Sequence, residues 1–263
     1  MKRFISLNYL LVVVAILLSS FIIHQHKRPT LFVIGDSTVK NGKGDGGNGL
    51  WGWADFLKPY FDTTKIAIEN HALGGTSSRT FQTQGLWNKV LAKVQTGDYV
   101  MMQFGHNEGS KPDTSKNGYR GVLRGIGEDT VVLTWADGKL ETVHSYGWYI
   151  RKFIRDVKEK GANPVVLSLI TRNDWKDGKV LRSVNSFGQY AAEVAKQEGA
   201  WFIDLNSITA DKYDAMGAEK VKPFFPQEHT HTNYDGARIN AASVTEGLQL
   251  LTNCSLQKYL LSH

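Results

Sequence analysis

Leu31-Phe32-Val33-Ile34-Gly35-Asp36-Ser37 is the stretch that decides the fold. Four apolar residues in a row, too short for a helix and closed by a Gly-Asp-Ser turn, read as a strand with both faces buried. The same reading applies to Ile66-Ala67-Ile68, to Tyr99-Val100-Met101-Met102-Gln103-Phe104, to Pro164-Val165-Val166-Leu167-Ser168-Leu169-Ile170 and to Trp201-Phe202-Ile203. Helical stripes lie between them: Leu86, Val90, Leu91 and Val94, then Trp148, Phe153, Ile154 and Val157, then Tyr190, Ala191, Val194 and Ala195. Gly161 and Gly199 stand where helix stops belong, and a last helix is expected from near Asn233 through Ala241, Val244 and Leu248. Strand and helix alternating in this way predict a three-layer α/β/α sandwich around a parallel sheet with right-handed crossovers. Residues 41–49 and 111–144 read as loops, the second long enough to carry function or cover a site. No repeat or Pro/Gly/Ser-rich linker interrupts residues 29–263, which read as one domain.

The 263 residues suffice for a large hydrophobic core, and 41% apolar and 21% charged residues exclude a disordered or collagen-like chain. One cysteine, Cys254, allows no intrachain disulfide and no cysteine-based metal site. The net charge of +6 is mostly local: Lys2, Arg3, Lys27 and Arg28 carry four positive charges in a segment without acids. A general nucleic-acid-binding surface is therefore not expected. Lys2 and Arg3 precede an apolar run from Tyr9 to Ile23, which reads as a signal peptide or, if uncleaved, an N-terminal membrane anchor spanning residues 1–28. An exported protein, periplasmic or extracellular, is expected, with no other membrane contact.

In an open parallel sheet the ligand crevice lies beyond the carboxyl ends of the strands, so residues that follow each strand converge there. Gly35-Asp36-Ser37 follows the first strand, Asn70-His71-Ala72-Leu73-Gly74-Gly75 the second and Gly105-His106-Asn107-Glu108 the third; Glu228-His229-Thr230-His231 precedes the last helix. Ser37 is a candidate nucleophile, His231 the base that would activate it, and Glu228, three residues earlier, the group that would orient the imidazole. Acyl transfer also needs donors aimed at the developing oxyanion; the backbone N–H groups of Ser37 and Gly75 and the side-chain amide of Asn107 are the candidates. Each residue has a plainer reading: a helix N-cap for Ser37, a capping histidine for His231, a solvated acid for Glu228, turn residues for Gly75 and Asn107. A histidine that must be neutral to act as base implies activity falling in acid.

The four blocks resemble those of the SGNH (GDSL) hydrolase superfamily. Gly74-Gly75-Thr76-Ser77-Ser78-Arg79-Thr80-Phe81, Gln103-Phe104-Gly105-His106-Asn107 and Phe225-Pro226-Gln227-Glu228-His229-Thr230-His231-Thr232 are more particular and resemble rhamnogalacturonan acetylesterases, over roughly residues 31–250. The resemblance implies a flavodoxin-like fold and removal of acetyl groups from a pectic polysaccharide through a serine nucleophile, without metal or other cofactor. Position by position, Ser37 matches the nucleophile, Gly75 and Asn107 the oxyanion partners and His231 the base. The chain departs from the pattern at Glu228 and Glu108, where the family usually has Asp.

An anionic sugar polymer calls for arginines and aromatic faces near the nucleophile, so Arg79, Trp51, Trp53, Arg172 and Trp175 are expected to line the cleft. Arg120 and Arg124 belong to the long loop that would wall it. Three rival readings stay open. Gly-His-Asn-Glu with His229-x-His231 loosely resembles a metallophosphoesterase ligand set, although no Gly-Asp-x-x-Asp precedes it. An α/β-hydrolase is disfavoured because the chain has no Gly-x-Ser-x-Gly elbow. Seven tryptophans would also suit a non-catalytic carbohydrate-binding protein.

Overall fold

The structure is a computed structural model that describes residues 28–46, 48–183 and 186–262. The export segment read at residues 1–28 lies, apart from Arg28, outside the described residues. Among the described residues no helix is long and apolar enough to cross a membrane.

Each apolar run forms its expected strand: β1 (Thr30–Gly35), β2 (Ala67–Asn70) and β3 (Tyr99–Gln103) are followed by a separate hairpin of β4 (Thr130–Thr134) and β5 (Leu140–His144). After these come β6 (Asn163–Leu167), a small ribbon of β7 (Trp175–Lys176) and β8 (Lys179–Val180), and β9 (Trp201–Ile203). Five of them make one all-parallel sheet in the order β2-β1-β3-β6-β9. Counted along the chain that is 2-1-3-4-5, the flavodoxin-like order, whose topological switch lies between β1 and β3.

The helices are α1 (Ser78–Thr83), α2 (Leu86–Leu91), α3 (Tyr146–Glu159), α4 (Phe187–Gln197), α5 (Leu205–Met216), α6 (Ala218–Val221) and α7 (Tyr234–Leu250). Period-two alternation along the strands sorts the core into two layers. Phe32, Ile34, Val100, Met102 and Val166 meet Phe81, Trp87, Phe153 and Val194 from α1–α4 on one face. On the other, Leu31, Val33, Met101, Val165 and Leu167 meet Leu205 of α5 and Ala241, Val244 and Leu248 of α7, together with Trp53 and Leu57. The result is the three-layer sandwich expected from the sequence.

Two differences concern the site. The stretch 111–144 is not a bare loop: it folds a one-turn 3-10 helix at Gly118–Arg120 and the β4–β5 hairpin, closed at Gly138 with φ 83°. α1 was not read from the pattern; it is opened by a reciprocal cap in which Ser77 and Thr80 satisfy one another's backbone N–H groups.

Candidate active site

Gly35 ends β1 opposite Gln103 of β3, and a Cβ there would sit 2.6 Å from the Gln103 carbonyl oxygen and 2.4 Å from Val39 Cγ2. Only glycine lets the chain turn this tightly at the switch point. The turn is closed by the Val39 and Lys40 N–H groups donating to the Asp36 carbonyl at 3.2 and 3.0 Å. A buried polar chain bolts it from below. Trp53 Nε1 donates to Gln103 Oε1 (3.0 Å), Gln103 Nε2 donates to Thr38 Oγ1 (2.6 Å), and Thr38 Oγ1 donates to Asp36 Oδ1 (2.7 Å). Ser37 stands on this turn with its side chain at the rim.

Across the rim, Ser37 Oγ lies 2.7 Å from His231 Nε2, although 194 residues separate them. His231 Nδ1 lies 2.7 Å from Glu228 Oε1, and the His231 backbone N–H donates to the same oxygen at 2.6 Å. Thr230 N–H donates to the other carboxylate oxygen at 2.8 Å. Burial alone would raise the Glu228 carboxyl, but these donors outweigh it and hold the group below its ordinary range, so it stays ionised. An anion on Nδ1 favours the tautomer with its proton there and leaves Nε2 free to accept from the Ser37 hydroxyl. The segment is fixed from two sides: Trp51 N–H donates to the Thr232 carbonyl (2.8 Å), and Asn173 N–H to the His229 carbonyl (2.8 Å).

Ser37, His231, Gly75 and Asn107 border one cleft of ≈ 360 Å³, with Asn41, Lys43, Asn48 and Arg120 around them. Gly75 adopts φ 82°, in the left-handed region glycine tolerates. Asn107 Nδ2 donates to the Thr76 carbonyl at 2.8 Å, and Arg120 Nη1 donates to Asn107 Oδ1 at 2.9 Å. The guanidinium thereby settles which end of the amide is oxygen, and the second Asn107 N–H has no protein partner among the described residues. Beneath this loop lies Glu108, fully buried, whose two oxygens accept from Ser78 N–H (2.7 Å) and Asn107 N–H (3.0 Å). Burial pushes its carboxyl up to about 8, with nearby Asp36 adding to the shift and the two backbone donors opposing it. His106, next to Asn107, is shifted by burial down to about 4 and is neutral at physiological pH.

The residues expected to bind sugar are placed differently. Arg79 is fully buried and does not reach the cleft: its Nε and Nη2 grip Glu141 at 2.8 and 2.9 Å, and its Nη1 donates to the Gly118 and Gly121 carbonyls. Trp53 is fully buried as the bolt described above. Trp51 turns toward Phe56 and Tyr234, Trp175 donates to Asn173 Oδ1 (2.7 Å) and joins a small core with Val180 and Tyr213, and Arg172 is half-buried; none borders the cleft. The cations that do are Lys43 and Arg120. Lys43 was signalled only by the glycine-rich loop after Ser37, and the grip of Arg120 on Asn107 had no sequence signal. For the metal reading, the described residues hold no group of three or more His, Cys, Asp or Glu suited to a metal ion. His229 instead meets Asp174 at 2.7 Å.

Residues 33–239 match the GDSL-like lipase/acylhydrolase family. The chain belongs to that family. It is a carboxylic ester hydrolase. A rhamnogalacturonan acetylesterase of Emericella nidulans is 32% identical over 212 residues, 81% of this chain and 81% of the relative. The rhamnogalacturonan acetylesterase RhgT of Bacillus subtilis is 26% identical over 241 residues, covering 86% and 92%. Among solved structures, Bacillus subtilis YxiM superposes with a TM-score of 0.67 at 24% identity over 85% of this chain, which spans 56% of YxiM's. An acetyl xylan esterase from Geobacillus stearothermophilus superposes with a TM-score of 0.55 at 14% identity, covering 86% and 97%. These superpositions show a shared fold.

Proposed function

We propose that this GDSL-family esterase is an exported carbohydrate acetylesterase that removes O-acetyl groups from a pectic polysaccharide, rhamnogalacturonan, through an acetyl-serine intermediate. The observation that carries the reading is the 2.7 Å contact of Ser37 Oγ with an imidazole whose far nitrogen is held by Glu228. His231 Nε2 takes the hydroxyl proton as Ser37 Oγ attacks the acetyl carbonyl, and Glu228 stabilises the imidazolium that forms. The oxyanion is held by the backbone N–H groups of Ser37 and Gly75 and by the unused N–H of Asn107. His231 then gives its proton to the departing sugar oxygen. Water, deprotonated by the same imidazole, attacks the acetyl-enzyme, releasing acetate and returning the proton to Ser37.

The choice of polymer rests on charge. Lys43 and Arg120 border the cleft with no Asp or Glu among its lining residues, which suits a uronate-bearing chain better than a neutral xylan. Two relatives whose names give that substrate support the same reading. Acetate release on acetylated rhamnogalacturonan, acetylated xylan and a small aryl acetate tests it. The expected outcome is a kcat/KM on rhamnogalacturonan about tenfold or more above that on xylan, the worth of one good charge-assisted contact. Equal or better activity on xylan contradicts the pectic assignment while leaving the esterase.

A further inference from the structure

A second concavity of ≈ 620 Å³, larger than the one at Ser37, opens between α1 and the β4–β5 hairpin. Its walls include Thr83 and Gln84 at the end of α1, Tyr119, and Trp135, Lys139 and Glu141 of the hairpin. It has the size and makeup of a ligand site, two aromatic rings with a few polar groups converging between them. The hairpin is a costly thing to hold in place. A two-stranded ribbon is marginal on its own, and this one leaves Val132 and Leu140 57% and 66% exposed and fully buries only Val143 among its strand residues. A buried ion pair fixes it nonetheless. Arg79 grips Glu141 in bidentate fashion, Glu141 Oε2 accepts from the Trp135 indole at 2.8 Å, and the same guanidinium takes the Gly118 and Gly121 carbonyls that bracket Tyr119. Burial would raise the Glu141 carboxyl, but Arg79 and Trp135 hold it below the usual range, so the clamp is ionic. One buried arginine thus sets the two aromatic walls relative to each other.

The cavity and the catalytic cleft are lined by neighbouring residues: Tyr119 borders one, and Arg120 borders the other while holding Asn107. We propose that this cavity binds pyranose residues of the same acetylated polymer, remote from the acetyl group being removed. A sugar face packs on Trp135 or Tyr119, and Gln84, Asp137 and Lys139 meet its hydroxyls. The inference rests on the polysaccharide reading of the catalytic cleft and extends it from one sugar to a stretch of chain. Binding energy gained there acts on polymers and is lost to small esters.

The test compares full-length wild type, Trp135→Ala and Trp135→Phe on acetylated rhamnogalacturonan, acetylated xylan and an aryl acetate. Trp135→Ala is expected to raise KM for the preferred polymer about tenfold relative to its effect on the aryl acetate, and Trp135→Phe to restore most of that loss. Equal changes on polymer and aryl acetate, with no rescue by Phe, overturn the sugar site. The two readings fail separately. If xylan is the better polymer for wild type, the pectic assignment falls, and a polymer-selective KM rise on xylan still upholds the cavity. A wild type that deacetylates neither polymer overturns both.

Discussion

Arg120 and the Thr76 carbonyl together fix which way the Asn107 amide faces. An amide rotated by half a turn would present a carbonyl oxygen to a developing oxyanion, and the 2.9 Å bond from Arg120 Nη1 to Asn107 Oδ1 blocks that rotation. Replacing Asn107 with Ala is expected to lower kcat on an aryl acetate by about 10²–10³, the usual cost of one oxyanion donor. Arg120→Met leaves the amide held by the Thr76 carbonyl alone, with a weaker hold on its orientation, so a smaller loss, about tenfold in kcat, is expected for this neutral substrate. An aryl acetate kcat that Arg120→Met leaves unaltered would contradict the orienting role. Glu108 works one layer deeper. Its carboxyl is raised from 4.5 to about 8, so the folded chain keeps a proton that the unfolded chain releases in that window. The stability this group contributes is therefore full below pH 4.5 and is lost as pH rises through about 8. Glu108→Gln turns an NH₂ toward the N–H of Ser78 or Asn107. It should cost about 1–3 kcal/mol and flatten the decline of stability between pH 5 and 8. Denaturant titrations of both proteins at the two pH values check this; parallel slopes would contradict it.

At the scale of elements, the strand ends matter more than the strands. Gly35→Ala would press a methyl group against the Gln103 carbonyl, an atom of the β1–β3 pairing that cannot retreat. Urea unfolding is expected to show a loss of about 3 kcal/mol, with acetate release falling alongside. A variant as stable as wild type would show that the turn has more slack than its geometry allows. The five sheet strands were legible because their runs are apolar, although the edge strands β2 and β9 are mostly half-buried rather than covered on both faces. Hairpin β4–β5 was hidden because it buries little: only Val143 is fully covered and the other strand residues are exposed or half-buried, though Asp137-Gly138 is a turn signal that could have found it. Convergence of residues 37, 75, 107, 228 and 231 was legible from their places after strands and before α7. The duties of Arg79 and Trp53 were not. Whether an arginine lines a cleft or is buried as a clamp depends on Glu141, 62 positions away, and the Trp53 indole finds Gln103 50 positions on. No local pattern carries such pairings.

For the whole molecule, a 2-1-3-4-5 sheet leaves a crevice between β1 and β3, and three of the four family blocks reach it from the ends of neighbouring strands. The fourth arrives before α7, pinned by Trp51 on one side and Asn173 on the other. The cleft at Ser37 carries cations, and the cavity at Trp135 carries aromatic rings, with Tyr119 and Arg120 as neighbours on their two rims; these are the two places proposed to take an acidic polysaccharide. All of this depends on Ser37 being the atom that takes the acetyl group. Acetate release by wild type and Ser37→Ala, measured side by side on acetylated rhamnogalacturonan, tests that most directly. The account predicts a fall in kcat of about 10³-fold or more with the fold intact; a Ser37→Ala protein within tenfold of wild type would contradict it.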